Sequence, residues 1–415
     1  MLKKVLTATM CFAMAAGMTA CGGSGDSGSG NSDSGEKGMT ILTADDTTEG
    51  GALKAMAEKY QEETGIKVTM TEVPYGDMET KLLNMIKAGN APAVVRYSGF
   101  AAYSDYLLDI TDIAPSQDEM FLATEIDGKT LALAANATAN GMVYNKTLLD
   151  QAGITVPTSK EDLWTWDEFR DVLRTVIEKS DAEYGMVWDH SDNRYNTMLY
   201  QYGGSVYNED MTECLVDSDI SQKCMTDFVQ MFEDGIMPKS TWAGTEDPQA
   251  MFKTGKVAVH MCGNWVMNDY LDNITDFEWA PMLMPKGETR ATIAGGNYIY
   301  AVDGSGMEEE AKEFLQWFYD PENYAEYCKI GQYLPGRTGV EVEYEAEGME
   351  IFQNELEATP AITQQLNEIG IKYPGSNPGQ VYRDCIDSVI AGQMTVDDAV
   401  TQIKTEICEA YEGMK

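Results

Sequence analysis
The chemistry open to this 415-residue chain depends on a small set of residue types, and histidine is scarce: there are only two, His190 and His260. Neither belongs to an H-E-x-x-H pattern, and no G-x-S-x-G occurs. Zinc-dependent hydrolysis and Ser-His-Asp acyl transfer therefore lack their usual residues. Gly128-Lys129-Thr130 mimics the end of a phosphate loop, but Ala123 stands where that motif requires glycine, and a β-turn is the better reading. The acidic clusters Asp217-Ser218-Asp219 and Glu308-Glu309-Glu310 lack EF-hand spacing and read as solvated helix starts, where negative charge complements the dipole. A glycosidase carboxylate pair could be drawn from 68 acids, but no local pattern singles one out. The aromatics are more informative. Tyr75, Trp188, Trp242, Trp265, Tyr298 and Tyr382 stand near element ends or in polar, glycine-rich contexts. Aromatic rings there suit stacking on the apolar faces of sugars, with neighbouring amides, carboxylates and guanidinium groups bonding the hydroxyls.

The elements that must position these rings alternate between strand and helix. Residues 39–44 form an apolar strand candidate, and 50–63 carry Leu53, Met56, Ala57 and Tyr60 on one helical face. Residues 66–71 alternate with period two, 77–88 repeat apolar residues at helical spacing, and 93–97 are a further short strand. That rhythm predicts βαβ units, an α/β class and a mainly parallel sheet. Thr165 and Glu168 predict a capping box for a helix ending at Lys179. Helices also fit 219–233, 248–254, 307–319, 321–330, 379–391 and 395–412. The length exceeds the ~250–300 residues at which single cores stop growing, so two domains are expected.

Charge and leader set the surroundings. Lysine plus arginine total 29 against 68 aspartate plus glutamate, a net of −39, which argues against a nucleic-acid-binding surface. Residues 1–20 read as a secretory signal: Lys3 and Lys4 precede a charge-free apolar run, Val5 to Ala16, too short to span a membrane. Met18-Thr19-Ala20-Cys21 then matches a bacterial lipobox, with Cys21 the lipid-carrying mature terminus. Residues 21–38 continue as a Gly/Ser/Asp tether with no apolar side chain beyond that cysteine, a flexible leash. The expected location is the outer face of the cytoplasmic membrane. Of the six cysteines left in the mature chain none forms a C-x-x-C pair, and buried, mostly unpaired thiols are expected.

The order of several short motifs resembles the extracellular solute-binding protein family 1, the sugar-binding lipoproteins of ABC importers, to which maltose-binding protein also belongs. The resemblance runs from about residue 40 to 412. It rests on Thr64–Val68, Lys81–Gly89, Gly141–Lys146, Thr165–Phe169, Phe252–Ala258 with Gly263-Asn264-Trp265, Ala294–Asn297, Leu334–Arg337 and Met394–Ala399. Ala91-Pro92-Ala93 departs from it, since the family usually has aspartate after the proline. The resemblance implies a periplasmic-binding-protein-like fold of type II. Lobe 1 would hold 39–135 and 296–333, and lobe 2 would hold 136–295 and 334–415, with crossings near Ala134–Ala139 and Ile293–Gly296.

It also implies a monomer that captures a carbohydrate, an oligosaccharide by preference, and delivers it to permease subunits, with no cofactor, metal or catalysis. Another solute such as a polyol phosphate, or a secreted glycosidase, are the alternatives. Residue by residue, it makes Trp265 and Trp242 stacking platforms and turns Asn297 and Tyr298 toward the cleft. Arg337 becomes a ligand or hinge residue. Asp45, Tyr75 and Asp77 sit at strand-to-helix junctions of lobe 1, Asn136 in a crossing, and Trp188, Asp189 and Arg194 around a strand end of lobe 2. Tyr382 begins a late helix that brings an aromatic to the ligand.

Overall fold
The structure, a computed structural model, describes residues 38–44, 46–47, 50–122, 124–365 and 378–409. The leader, most of the tether, Cys21 and Asp45 lie outside the described residues. Ten strands are described. Along one edge-to-edge path run β2 (Val68–Val73), β1 (Met39–Ala44), β3 (Val94–Tyr97), β10 (Ala294–Ala301), β6 (Leu133–Asn145), β8 (Val257–Gly263) and β7 (Tyr184–Val187). A further strand, β9 (Trp279–Met282), pairs with the far end of β6. The β1–β2, β1–β3 and β7–β8 pairs are parallel, each closed by a helical connection, while β6, β9 and β10 run antiparallel to their neighbours. β4 (Glu125–Ile126) and β5 (Lys129–Thr130) form a small hairpin. Asp127 and Gly128 both take positive φ in its turn, as a two-residue primed turn requires. The phosphate-loop look-alike is thus a β-turn.

β6 organises the whole. Its first half, Leu133–Ala139, pairs with β10, and its second half, Asn140–Asn145, pairs with β8 and β9. One strand therefore belongs to two half-sheets, and hydrophobic cores gather on the two halves separately. Met39, Ile41, Leu53, Met56 and Tyr60 pack with Phe314, Phe318, Tyr324 and Tyr327 on the first half. Met142, Phe169, Leu173, Met186, Trp188, Phe228 and Ile403 pack on the second.

Most predicted helices form within a residue or two of their predicted ends. The Thr165–Glu168 capping box is present in full at the head of helix Trp166–Lys179. Helix Asp192–Gln201 carried no periodic apolar signal, because eight of its ten residues are buried and several of those are polar. The cysteine expectation holds for four buried free thiols, Cys224, Cys262, Cys328 and Cys385. The other two mature cysteines, Cys214 and Cys408, are joined in a disulfide across 194 residues. No spacing rule connects positions so distant in sequence; only the tertiary fold brings them together.

Candidate functional site
Parallel strands direct their carboxyl ends to one edge, where the following loops can hold a ligand. In the first half, β1 leads to Asp46, β2 to Tyr75 and β3 to Ser98. Asp46 is buried and accepts backbone N–H bonds from Leu53 (2.9 Å) and Lys54 (3.0 Å), a carboxylate on a helix N-terminus. The Tyr75 hydroxyl hydrogen-bonds Ser98 Oγ, and its ring lies 5.0 Å from that of Tyr97. Tyr75 is nonetheless 46% exposed. Asp77 is also exposed and makes no cap bond to its helix. Arg96, buried within β3, donates to Asn136 Oδ1 at 3.2 Å and lies 5.1 Å from the ring of Tyr333.

The crossing strands present two different faces. Opposed residues of an antiparallel pair share a face, and alternate residues change face. The registers Gly295↔Thr138 and Asn297↔Asn136 therefore place these four together, while Ala294, Ala139, Gly296 and Ala137 lie on the other side. Asn136 and Asn297 thus share one face of the crossing. Tyr298 follows a register shift and packs 4.6 Å from Phe100; burial pushes its hydroxyl pKa up to about 12. Ala294 and Leu334, from the opposite face, border a separate cavity of about 480 Å³ together with Arg337. Arg337 bonds the Tyr319 carbonyl (3.4 Å), pairs with Glu119 (3.4 Å) and covers the Tyr319 ring. These contacts, and the cavity that Arg337 borders, lie apart from the Asn136 face.

The second half contributes a denser constellation. β7 ends at Trp188 and Asp189, β8 at Asn264 and Trp265, and Asn140 stands where β6 enters. Arg194, only 9% exposed, joins them: it donates to Asp189 Oδ2 (3.0 Å), Asn140 Oδ1 (3.3 Å) and Ser191 Oγ (3.3 Å). Its guanidinium carbon lies 4.7 Å from the Trp265 ring centroid, a cation–π contact. That indole leans on Gly263, where any Cβ would meet ring carbon at 1.9 Å. Asn140 also donates to Thr197 Oγ1 (2.8 Å), and Asn264 Oδ1 accepts from the Ala139 N–H (2.9 Å).

Many polar atoms here have no partner among the described residues. Asn136 Nδ2, Asn264 Nδ2, Arg194 Nε, Asp189 Oδ1, Trp188 Nε1 and both amide atoms of the fully buried Asn196 are all unbonded. Each such atom costs ~1–3 kcal/mol when buried, and native proteins keep few of them. Their gathering around two strand ends, a crossing and helix Asp192–Gln201 fits a polar ligand with many hydroxyls.

Three sequence candidates expose no ring for stacking, although Trp188 Nε1 stays unbonded. Trp188, Trp242 and Tyr382 are 0%, 1% and 2% exposed and belong to the second core. Trp188 stacks on Phe228 at 4.6 Å, Tyr382 packs 5.8 Å from Tyr195, and Trp242 donates to Asp387 at 2.7 Å. Their polar neighbours in sequence suggested exposure, but core packing took up the rings. Sequence reasoning in turn missed Arg96, Asn140, Asn196 and Asn264. A lone cation inside the apolar run Val94–Tyr97, and asparagine recurring among alanines in β6, were the available signals. Among the described residues, no group of three metal-ligating side chains is present.

Comparison with known proteins agrees with this architecture. The chain is 23% identical over 402 residues to the lactose-binding protein of Rhizobium radiobacter, covering 88% of this chain and 93% of that one. The substrate-binding protein Lmo0181 of Listeria monocytogenes, solved with cycloalternan, superposes with a TM-score of 0.71 at 22% identity, covering 90% and 98% of the two chains. The GacH receptor of Streptomyces glaucescens, solved unliganded and with acarbose, gives 0.73 at 21% identity, covering 91% and 98%. The sequence profile of the bacterial extracellular solute-binding proteins matches residues 44–325, and the chain belongs to that family.

Proposed function
We propose that this protein captures a carbohydrate between its two half-sheets and hands it to the permease of an ABC importer. The observation that carries the reading is the set of unpaired buried polar atoms around Asp189, Arg194, Asn196 and Asn264, beside the partly exposed indole of Trp265. Sugar hydroxyls both donate and accept, so one ligand can satisfy amide, carboxylate and guanidinium groups together. The sugars named for the similar proteins point the same way. Arg194 is neutralised by Asp189 at 3.0 Å, which favours a neutral sugar over a phosphate-bearing solute.

The half-sheets act as the lobes, 39–135 with 296–333 and 136–295 with 334–415, and β6 and β10 are hinges between them. A ligand touching both lobes stabilises the closed form by the difference in its affinity for the two forms. Asn136 and Asn297 would meet the ligand from the crossing, Tyr75 and Asp77 from the rim of lobe 1. Cys21 would carry the lipid anchor, residues 22–38 the leash, and the protein would act as an extracytoplasmic monomer without catalysis of its own. Calorimetry against a panel of mono- and oligosaccharides tests the reading. Saturable binding with the glycan recovered intact is the expected result. Failure with every sugar, or slow hydrolysis of one, would overturn it.

A further inference from the structure
Helix Pro321–Gly331 of the first half ends in an unusual way. Tyr333 N–H bonds the Cys328 carbonyl at 2.8 Å, a closing turn of Schellman type, and Gln332 occupies the left-handed position with φ 50°. Glycine is the usual residue there, because a Cβ costs energy in that conformation. Gln332 is buried, and its side chain does what glycine could not: Oε1 accepts the Ala346 N–H at 2.9 Å, and Nε2 donates to the Lys329 carbonyl at 2.6 Å.

Ala346 lies on a strap, Val340–Glu347, whose side chains alternate between core and solvent. Val340 and Val342 pack on the first core, whereas Tyr344 and Ala346 pack on the core formed by Val143, Val266 and Phe352 on the second half-sheet. Two more bonds arrive at the same helix end from that half. Tyr344 Oη donates to the Tyr333 carbonyl at 2.8 Å, and Asn268 Nδ2 donates to the Ile330 carbonyl at 3.2 Å. Asn268 lies three residues beyond Trp265. A polar cavity of about 630 Å³ adjoins these residues, bordered by Asn268, Ile330, Gln332 and Glu345, so the halves meet here through hydrogen bonds beside open space.

We propose that the last turn of helix Pro321–Gly331 is a clasp, in which Asn268, Tyr344 and the Gln332 side chain hold the second half against the first and favour the arrangement of the halves seen here over any other. Helix C-terminal carbonyls lack intrahelical partners, so they are ready acceptors for another body. Gln332 is kept in a strained conformation because its amide closes the clasp. The inference rests on the lobe reading above, but its test needs no sugar. The exposed positions Lys87→Cys and Glu178→Cys, one on each half, carry a fluorophore pair for single-molecule distance measurement. In Asn268→Ala/Tyr344→Phe the ratio of the clasped arrangement to the others should fall roughly tenfold to thirtyfold, the effect of two lost hydrogen bonds. The affinity of any sugar that binds should shift together with that ratio. Tyr344→Phe alone, which keeps the buried ring, should give part of the shift and serves if the double variant does not fold. An unchanged distance distribution, free and with sugar, would overturn the clasp and leave the sugar reading standing; a silent glycan panel with a shifted distribution would do the reverse.

Discussion
The two strand-end faces are built differently. On the first half most polar groups at the strand ends have partners: Tyr75 has Ser98, Asp46 the backbone of its helix, and Asn136 Oδ1 has Arg96, which leaves the Asn136 Nδ2 named above unbonded there. On the second half Asp189, Arg194, Asn196 and Asn264 keep unpaired buried atoms. A face that is already satisfied gains little from a ligand, whereas one with orphaned donors and acceptors gains much. The second half should therefore recognise the sugar, and the first should close over it.

Removing Arg194 breaks this asymmetry most severely. Arg194→Met discards three hydrogen bonds and the cation over Trp265, and it strands the Asp189 carboxylate. Charged hydrogen bonds are worth ~1.5–3 kcal/mol each, so sugar affinity should fall by about a hundredfold or more in calorimetry. A loss under fivefold would mean that recognition lies elsewhere.

The next effect is one of stability and separates the halves by pH. His260 is buried in the second half, its Nδ1 2.6 Å from the Tyr270 hydroxyl. Burial first, and then the Arg194 charge, lowers its pKa to about 3. The unfolded chain protonates at ~6.5, so unfolding takes up a proton at any pH between the two values. Stability from this group is full above pH 6.5 and declines as pH falls toward 3, by about 2 kcal/mol at pH 5. Hydrogen exchange at pH 5 against pH 7 should lose protection mainly in the second half, and His260→Gln should abolish the difference. Equal losses in both halves would remove His260 as the cause.

Much of the scaffold was legible in sequence because it rests on local rules. The Thr165 capping box, the stripe on helix Asp219–Glu233 and the Asp127-Gly128 turn are all set by near neighbours. The site was less legible, for a physical reason. Trp188 and Trp242 stand among polar neighbours in the chain, yet the Trp188 ring stacks on Phe228 of a distant helix and Trp242 Nε1 bonds Asp387, 145 residues away. Asn140 and Asn264 look ordinary until β6 pairs with β8, which sets Asn140 opposite Gly263 and Asn264 Oδ1 on the Ala139 N–H. Trp265 and Arg194 were both singled out in the sequence, but the contact between indole and guanidinium was not foreseen.

That contact sharpens the third expectation. The Trp265 ring already contacts Arg194 at 4.7 Å, so its loss would also loosen the guanidinium. Trp265→Ala should weaken sugar binding roughly tenfold to thirtyfold, from lost stacking plus a cation–π contact of ~0.5–2 kcal/mol. In Arg194→Met/Trp265→Ala the two losses should fall short of additive. Full additivity would show that the two side chains act independently.

The smallest expected effect lies on the first half. Tyr75 is half exposed, and its hydroxyl already has Ser98 as partner. Tyr75→Phe removes one hydrogen bond that water can replace at either end, worth ~0.5–1 kcal/mol. Sugar affinity should fall no more than about fivefold, with thermal stability unchanged. Tyr75→Ala also deletes the ring beside Tyr97, so a larger loss there than in Tyr75→Phe would assign the contribution to stacking and not to the hydroxyl. If Tyr75→Phe instead costs as much as Arg194→Met, the first half recognises the ligand as strongly as the second. The difference in unpaired atoms would then reflect hydration of the open form rather than a division of labour.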